Sequence, residues 1–150
     1  MTIARDSHGT IIAMQLTPGG AFTDIAELGD IQLPELSRNE FDASVQNRNI
    51  DDYVLGMLRR GAFTVPVNFL PANGTHDHLT GVYYHLINNI ITGYRVTVPA
   101  IASGDAGIVW IQSGQVKGVK PTAPVDGKLT AELTLRFSGL MSIGGVSIGA

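Results

Sequence analysis

The segment Lys128–Phe137, KLTAELTLRF, decides the fold class because apolar and polar residues alternate along it without a break. One set is Leu129, Ala131, Leu133, Leu135 and Phe137, and the other is Lys128, Thr130, Glu132, Thr134 and Arg136. A period of two residues places the two sets on opposite faces of a β-strand. The segment therefore predicts a strand with one face in the core and one in solvent. Asp126-Gly127, directly before it, is typical of a hairpin turn.

Six other segments carry strand signals. They are Ile11–Leu16, Phe22–Leu28, Glu40–Gln46, Gly61–Leu70, Tyr94–Val98 and Gly107–Val119. Phe41, Ala43 and Val45 form the predicted apolar face of the third segment. Pro66 in the fourth segment has no N–H to donate to a ladder, so we expect that strand at a sheet edge or with a bulge.

One segment has a helical period instead. From Thr75 to Ile91 the apolar residues are Leu79, Val82, Tyr83, Leu86, Ile87, Ile90 and Ile91, which form a single stripe on a helix. Thr75 can cap its start and Gly93 can end it. We expect a helix over about 75–91 that packs Leu79, Val82, Leu86 and Ile90 on a sheet. A short helical turn is a further expectation over Asp51–Arg59.

These signals predict a mainly β fold: an antiparallel β-sandwich or barrel of about seven or eight strands with one flanking α-helix. The 150 residues suit a single domain, with a flexible N-terminal arm over 1–10 and a Gly-rich C-terminal tail over 139–150. The chain is 44% hydrophobic, which excludes intrinsic disorder. A net charge of −3 argues against an electrostatic binder of nucleic acid or of anionic membranes.

The sequence offers little chemistry. It has no cysteine, no secretory signal and no apolar run of the ~18 residues that a membrane span needs. His76, His78 and His85 are interpreted as ordinary polar helix positions rather than zinc ligands, because a zinc site needs three or four convergent ligands. Asp51-Asp52 is interpreted as an acidic cap rather than an acid–base pair. We therefore expect no enzyme activity, no cofactor and no metal.

The order of segments resembles that of siphophage major tail tube proteins. Four stretches carry the resemblance: Phe22–Ile31 (FTDIAELGDI), Pro34–Ala43 (PELSRNEFDA), the Gly-punctuated Asp51–Gly61, and Leu135–Gly139 (LRFSG). Together with the helix and the long strands between them, these stretches cover about Phe22–Gly139. The family is related to the tube proteins of contractile tails and type VI secretion.

The resemblance implies a structural virion protein of a bacteriophage tail. Members form hexameric rings that stack into a hollow tube, through which DNA passes during ejection without specific binding. The implied partners are other copies of the chain and the tail terminator, tape measure and distal tail proteins, with no membrane. The implied location is the virion, after assembly in the host cytoplasm.

Two sets of residues follow from this hypothesis. Gln46–Gly61 is too long for a hairpin turn and carries apolar residues between opposite charges, so we expect it to be a loop that stacks one ring on the next. Its candidate stacking residues are Asp51, Asp52, Tyr53, Leu55, Met57, Leu58, Arg59 and Arg60. Glu40, Asp42 and Glu132 are candidate acids of a neutral or acidic lumen. The alternatives are another tail component, such as a terminator or connector, and a monomeric β-barrel that binds a small ligand.

Overall fold

A computed structural model describes residues 9–31, 33, 35–99 and 107–148. Within these ranges the chain forms nine strands and one helix. In chain order they are β1 Ile11–Gln15, β2 Phe22–Asp24, β3 Ser37–Asp42, β4 Tyr53–Arg59, β5 Phe63–Asn68, α1 Val82–Ile87, β6 Thr92–Val98, β7 Ile108–Thr122, β8 Thr130–Ile143 and β9 Val146–Ile148. The mainly β prediction is confirmed.

Seven strands form one antiparallel sheet in the order β2-β1-β6-β7-β8-β5, with β9 paired to the end of β8. β3 and β4 form a separate two-stranded hairpin. β5 is an edge strand of the large sheet, as its Pro66 predicts, because proline cannot donate to a second neighbour. The connection from β7 to β8 contains Gly127 at a φ of +142°, which favours glycine.

The register of the large sheet collects the apolar residues on one face. Opposite residues of an antiparallel ladder share a face, and the ladder pairs Ile12 with Val96, Tyr94 with Gln112, Val116 with Leu135 and Leu133 with Val65. These side chains are all buried. The alternation of Lys128–Phe137 is reproduced, because Ala131, Leu133, Leu135 and Phe137 are at most 5% exposed. The core therefore lies on one face of this sheet.

The sheet curls but does not close into a barrel, so the barrel alternative is wrong. In the described part of the chain, its edge strands β2 and β5 form no ladder with each other. Only the segment that follows β2 makes backbone bonds to β5. There Leu28 forms an isolated bridge with Val67, and the N–H of Gly29 donates to the carbonyl of Pro66 at 2.8 Å. These bonds hold the segment after β2 against β5 but do not form a continuous ladder.

The helix is shorter than its apolar stripe predicts. It begins at Val82 rather than Thr75, and residues 71–81 form turns. One carboxylate oxygen of Asp77 accepts the N–H groups of Leu79, Thr80 and Gly81, which offers the backbone an alternative to helix. The bond from the Thr80 N–H is the main cause that lowers the pKa of Asp77.

The predicted stripe is consequently buried only in part. Val82 belongs to the core and Leu86 packs against it, whereas Leu79 lies in the turns and is 65% exposed. Thr75 caps no helix. Its hydroxyl accepts the N–H of Ala26 and donates to the side chain of Asn73, so it joins the turns to the segment after β2.

Several elements differ in extent or type from the sequence prediction. β3 begins before the predicted Glu40–Gln46 strand and ends at Asp42, and the expected helical turn over Asp51–Arg59 is wrong because Tyr53–Arg59 is strand β4. At the other end β8 continues through the Gly-rich segment to Ile143 and turns at Gly144-Gly145 into β9. Residues 1–8 of the predicted N-terminal arm lie outside the described residues.

Among the described residues there is no helix of the length and apolar character that a membrane span requires.

Candidate assembly surface

The β3–β4 hairpin carries most of the predicted stacking residues. Its ladder pairs Asp42 with Tyr53, Phe41 with Val54 and Glu40 with Leu55, and its register shifts between Arg38 and Glu40. The ring of Phe41 covers Gly56 so closely that a Cβ at Gly56 would meet the ring at 2.7 Å. The Arg38 guanidinium donates to the carbonyl of Gly56 at 2.8 Å. The part of the predicted loop Gln46–Gly61 from Tyr53 to Arg59 is thus one strand of a ribbon.

This hairpin exposes apolar side chains on both faces. Phe41 and Val54 are 58% and 54% exposed on one face, and Tyr53 and Leu55 are 52% and 63% exposed on the other. Met57 is 73% exposed. An isolated two-stranded ribbon is at best marginally stable, and exposed apolar surface of this kind marks an interaction site. The hairpin is therefore the candidate assembly surface.

The turn that joins the two strands is held by polar bonds. Hydrogen bonding from Ser44 lowers the pKa of Asp42, and the Ser44 hydroxyl accepts the N–H of Asp52 at 2.9 Å. Arg48 and Asp52 are 4.0 Å apart and both exposed, so this pair contributes little to stability. With no helical turn to cap, Asp51 and Asp52 end the loop directly before β4, where both side chains are exposed.

Arg60 is separated from the other predicted stacking residues. Arg59 is exposed, but the Arg60 guanidinium donates to the side chain of Gln112 at 3.3 Å and to the carbonyl of Gly139. Arg60 thereby ties the base of the hairpin to β7 and β8. Leu58 is half-buried. The exposed part of the predicted stacking segment is therefore Asp51–Met57 with Arg59.

The three candidate lumen acids lie on two different elements. Glu40 and Asp42 are on the exposed hairpin, whereas Glu132 lies on the outer face of the large sheet. There Glu132 pairs across the ladder with Lys120 on one side and Pro66 on the other. The structure of one chain does not bring the three carboxylates together.

Two of the three histidines are structural anchors that the helical interpretation missed. His76 and His85 are fully buried. The N–H of Leu70 donates to Nδ1 of His76 at 3.0 Å, so Nε2 carries the proton and donates to the carbonyl of Ala26 at 2.9 Å. Nε2 of His85 similarly donates to the carbonyl of Leu16 at 3.0 Å. In the described ranges no group of three or more His, Cys, Asp or Glu residues is placed to hold a metal ion.

Acid is expected to destabilise the fold through these two rings. Burial lowers the pKa of both below the ordinary value of 6.5. The bonds to the carbonyls of Ala26 and Leu16, and at His76 the attraction to Glu27, only partly oppose this. A group whose pKa is lowered in the folded state binds protons better when unfolded. Full stability is therefore present above pH 6.5 and is lost as the pH falls below it toward the folded-state values.

Denaturant unfolding of the chain between about pH 8 and 5 measures this effect, in a range where ordinary carboxylates stay ionised. His85→Gln keeps a donor for the Leu16 carbonyl and should flatten the slope, whereas His78→Gln, at an exposed position, should leave it unchanged. The single variants His76→Gln and His85→Gln and their double variant decide the assignment. If the free energy of unfolding still falls with pH as steeply in all three as in the unmodified chain, the assignment is refuted.

No family model and no curated protein matches the sequence. Solved structures do match. A chain of the tail of an empty GTA particle, refined with C6 symmetry, has a TM-score of 0.73 at 15% identity and covers 93% of this chain and 98% of its own. A chain of the six-fold symmetrised baseplate of the anti-feeding prophage has a TM-score of 0.72 at 13% identity, with coverages of 97% and 99%.

The SPP1 tail tube matches with a TM-score of 0.63 at 10% identity, covering 94% of this chain and 77% of that one. At such identities a match establishes the fold and not the activity. These neighbours are chains of a baseplate, a tail and a tail tube. The chain has the fold that these baseplate, tail and tail tube chains share.

Proposed function

We propose that this chain is the building block of a phage-type tail tube, in which hexameric rings stack into a hollow conduit for DNA ejection. The observation that carries the proposal is the β3–β4 hairpin, a ribbon with apolar residues exposed on both faces among the described residues. The tail tube fold supports the proposal, and six-fold symmetry describes two of the particles that contain its structural neighbours.

The stacking role is proposed for the exposed part of the hairpin. Its apolar residues Val54, Leu55 and Met57 would supply affinity between rings, and the flanking Asp51, Asp52 and Arg59 would fix the register. Arg60 has a different role in this proposal. By bonding to Gln112 and to the carbonyl of Gly139, it sets the direction in which the hairpin leaves the sheet.

The lumen is proposed to be neutral or acidic, with Glu40, Asp42 and Glu132 as its candidate acids. A wall along which DNA slides should not hold phosphates, since every lysine or arginine contact adds affinity. Lys120 faces Glu132 across the ladder and would neutralise it in part. The tail terminator, tape measure and distal tail proteins are the partners proposed at the tube ends and inside it, in a virion assembled in the host cytoplasm.

Electron microscopy and light scattering of the concentrated, purified chain test this proposal. We expect rings and stacked tubes of high mass. Featureless monomers at all concentrations would overturn the proposal in favour of a monomeric binding module, and single rings that never elongate would favour a terminator. The same tubes should not retain duplex DNA at low salt, where electrostatic binding is strongest. Tight retention would contradict the neutral or acidic lumen.

A further inference from the structure

The sulfur chemistry of this chain rests on methionine, because the sequence has four methionines and no cysteine. Three of the methionines lie in the described ranges. Met14 and Met141 are 0% and 4% exposed, whereas Met57 is 73% exposed on strand β4. An oxidant attacks a thioether only where it can reach the sulfur. Among the described methionines, Met57 is therefore the one that is open to oxidation.

The local geometry of the hairpin leaves Met57 uncovered. The register of the ladder shifts between Arg38 and Glu40. At the shift, Gly56 and Met57 of β4 lie opposite the single residue Asn39 of β3. Such an extra residue makes a bulge, where one residue lacks a direct cross-strand partner. Gly56, the chain neighbour of Met57, also has no side chain that could shield the sulfur.

We propose that Met57 is an oxidation site, and that conversion of its thioether to the sulfoxide blocks assembly of the subunit. The oxidant is a peroxide, either hydrogen peroxide or an organic hydroperoxide. The effect on assembly rests on the proposed tube function, in which Met57 supplies affinity between rings. The reactivity of Met57 in the free subunit does not rest on it.

The reaction is a two-electron transfer of one oxygen atom. The lone pair of the sulfur attacks one oxygen of hydrogen peroxide, and the S–O bond forms as the O–O bond breaks. The other oxygen leaves with the proton of the transferred hydroxyl, as water. The sulfur is oxidised by two electrons and the peroxide is reduced by two. A thiol-dependent sulfoxide reductase reverses the change, because two thiols become a disulfide while the sulfoxide oxygen leaves as water.

Oxidation changes the chemistry of the hairpin surface. The sulfoxide is polar and accepts hydrogen bonds, whereas the thioether is apolar. Val54 and Leu55 on the same strand are 54% and 63% exposed, so Met57 belongs to an apolar group. Burying an acceptor among apolar side chains without a donor is unfavourable. We expect oxidation to raise the concentration needed for assembly at least about tenfold.

Peroxide treatment of the dilute full chain, followed by peptide mass spectrometry, tests the oxidation site. We expect Met57 to gain one oxygen atom at least about tenfold faster than Met14 and Met141, which lie in the core. Circular dichroism checks that the chain stays folded during the reaction. Equal rates at the three methionines in a folded chain would overturn the proposal.

Sedimentation of the chain before and after oxidation tests the block on assembly. Met57→Leu keeps the other three methionines and a similar side-chain volume, so it should assemble with or without peroxide. The matched control adds Val125→Met to Met57→Leu, which moves the exposed methionine to a fully exposed position on the β7–β8 connection. This double variant should oxidise readily and still assemble. Sulfoxide reductase with a thiol should restore assembly of the oxidised unmodified chain.

The outcomes separate this inference from the proposed function. A loss of assembly in the unmodified chain alone, reversed by the reductase, supports both. Tubes that form equally well after Met57 is oxidised overturn the block and leave the tube standing. An equal loss in the oxidised Met57→Leu chain assigns the effect to another residue and also overturns the block. An unmodified chain that forms no tubes before oxidation overturns the tube and the block together, whereas faster oxidation of Met57 would still establish the oxidation site.

Discussion

Replacing Val54, Leu55 and Met57 with threonine is expected to raise the concentration needed for assembly at least about a hundredfold, because burial of three apolar side chains is lost. The folded subunit should be unaffected. All three side chains are more than half exposed in the single chain, so they contribute little to its own core. Threonine keeps a high preference for strands, so the hairpin itself should persist.

The size of the effect follows from the area that assembly would bury. A fully buried side chain of this size contributes about 1.5–3 kcal/mol, and threonine retains part of that contact. Allowing about 1 kcal/mol for each position gives about 3 kcal/mol, which corresponds to a little more than a hundredfold in an equilibrium constant. Arg60 is left in place because its bonds to Gln112 and Gly139 hold the hairpin on the sheet.

Sedimentation of the variant over a concentration series measures the loss, and its thermal unfolding shows whether the subunit is intact. Val125→Thr makes the same kind of change at a fully exposed position away from the hairpin, and it should assemble like the unmodified chain. The stacking role would be contradicted if the triple variant polymerised at the same concentration as the unmodified chain. A lowered melting temperature would show that the hairpin instead belongs to the fold.

Strand periodicity predicted the large sheet well, because a strand with one buried face shows alternating apolar and polar residues in its sequence. The alternation of Lys128–Phe137 identified its buried set correctly because one face of β8 meets the core and the other meets solvent. Pro66 likewise placed β5 at an edge through the N–H that it lacks. Both predictions depend only on residues of one strand, so the sequence alone is enough to make them.

The hairpin was harder to predict because its second strand lacks a regular alternation of apolar and polar residues. Val54-Leu55 and Met57-Leu58 are adjacent apolar pairs, which lack alternation and so gave a weak strand signal. Such runs are typical of strands covered on both faces, whereas most side chains of β4 are exposed among the described residues. In the proposed tube, the same missing alternation would be the sequence signal of a strand that other subunits cover.

The start of the helix was mispredicted for a different reason. Leu79 continues the apolar stripe into Thr75–Gly81, and Thr75 could cap a helix there, so the local sequence favoured a single helix. Tertiary bonds override that preference: His76 binds Ala26 and Leu70, and the Thr75 hydroxyl binds Ala26. These partners are distant in sequence or lie in another element, so no periodicity could indicate them.

Gly81→Ala distinguishes the two descriptions because they predict opposite signs. In a continuous helix over 75–91, alanine would stabilise the fold by about 1 kcal/mol through its better helix propensity. In the structure the turns close tightly, with the N–H of Val82 bonded to the carbonyl of Thr75 at 3.0 Å. A Cβ at Gly81 would lie 2.5–2.6 Å from backbone atoms of Thr75, His76 and Asp77. Backbone atoms cannot move aside as the end of a flexible side chain can.

We therefore expect Gly81→Ala to destabilise the subunit by about 3 kcal/mol, the upper part of the range for overpacking. For a chain of this length that is a fall in melting temperature of about 6–12 °C. Gly74→Ala is the matched control in the same segment, since its Cβ would meet only the Thr80 hydroxyl, at 3.8 Å. A higher melting temperature for Gly81→Ala would restore the continuous helix, and equal falls in both variants would refute the close packing at Gly81. We expect a large fall in melting temperature for Gly81→Ala and none for Gly74→Ala. That result would show that the close packing of the turns before Val82 fixes where the helix begins.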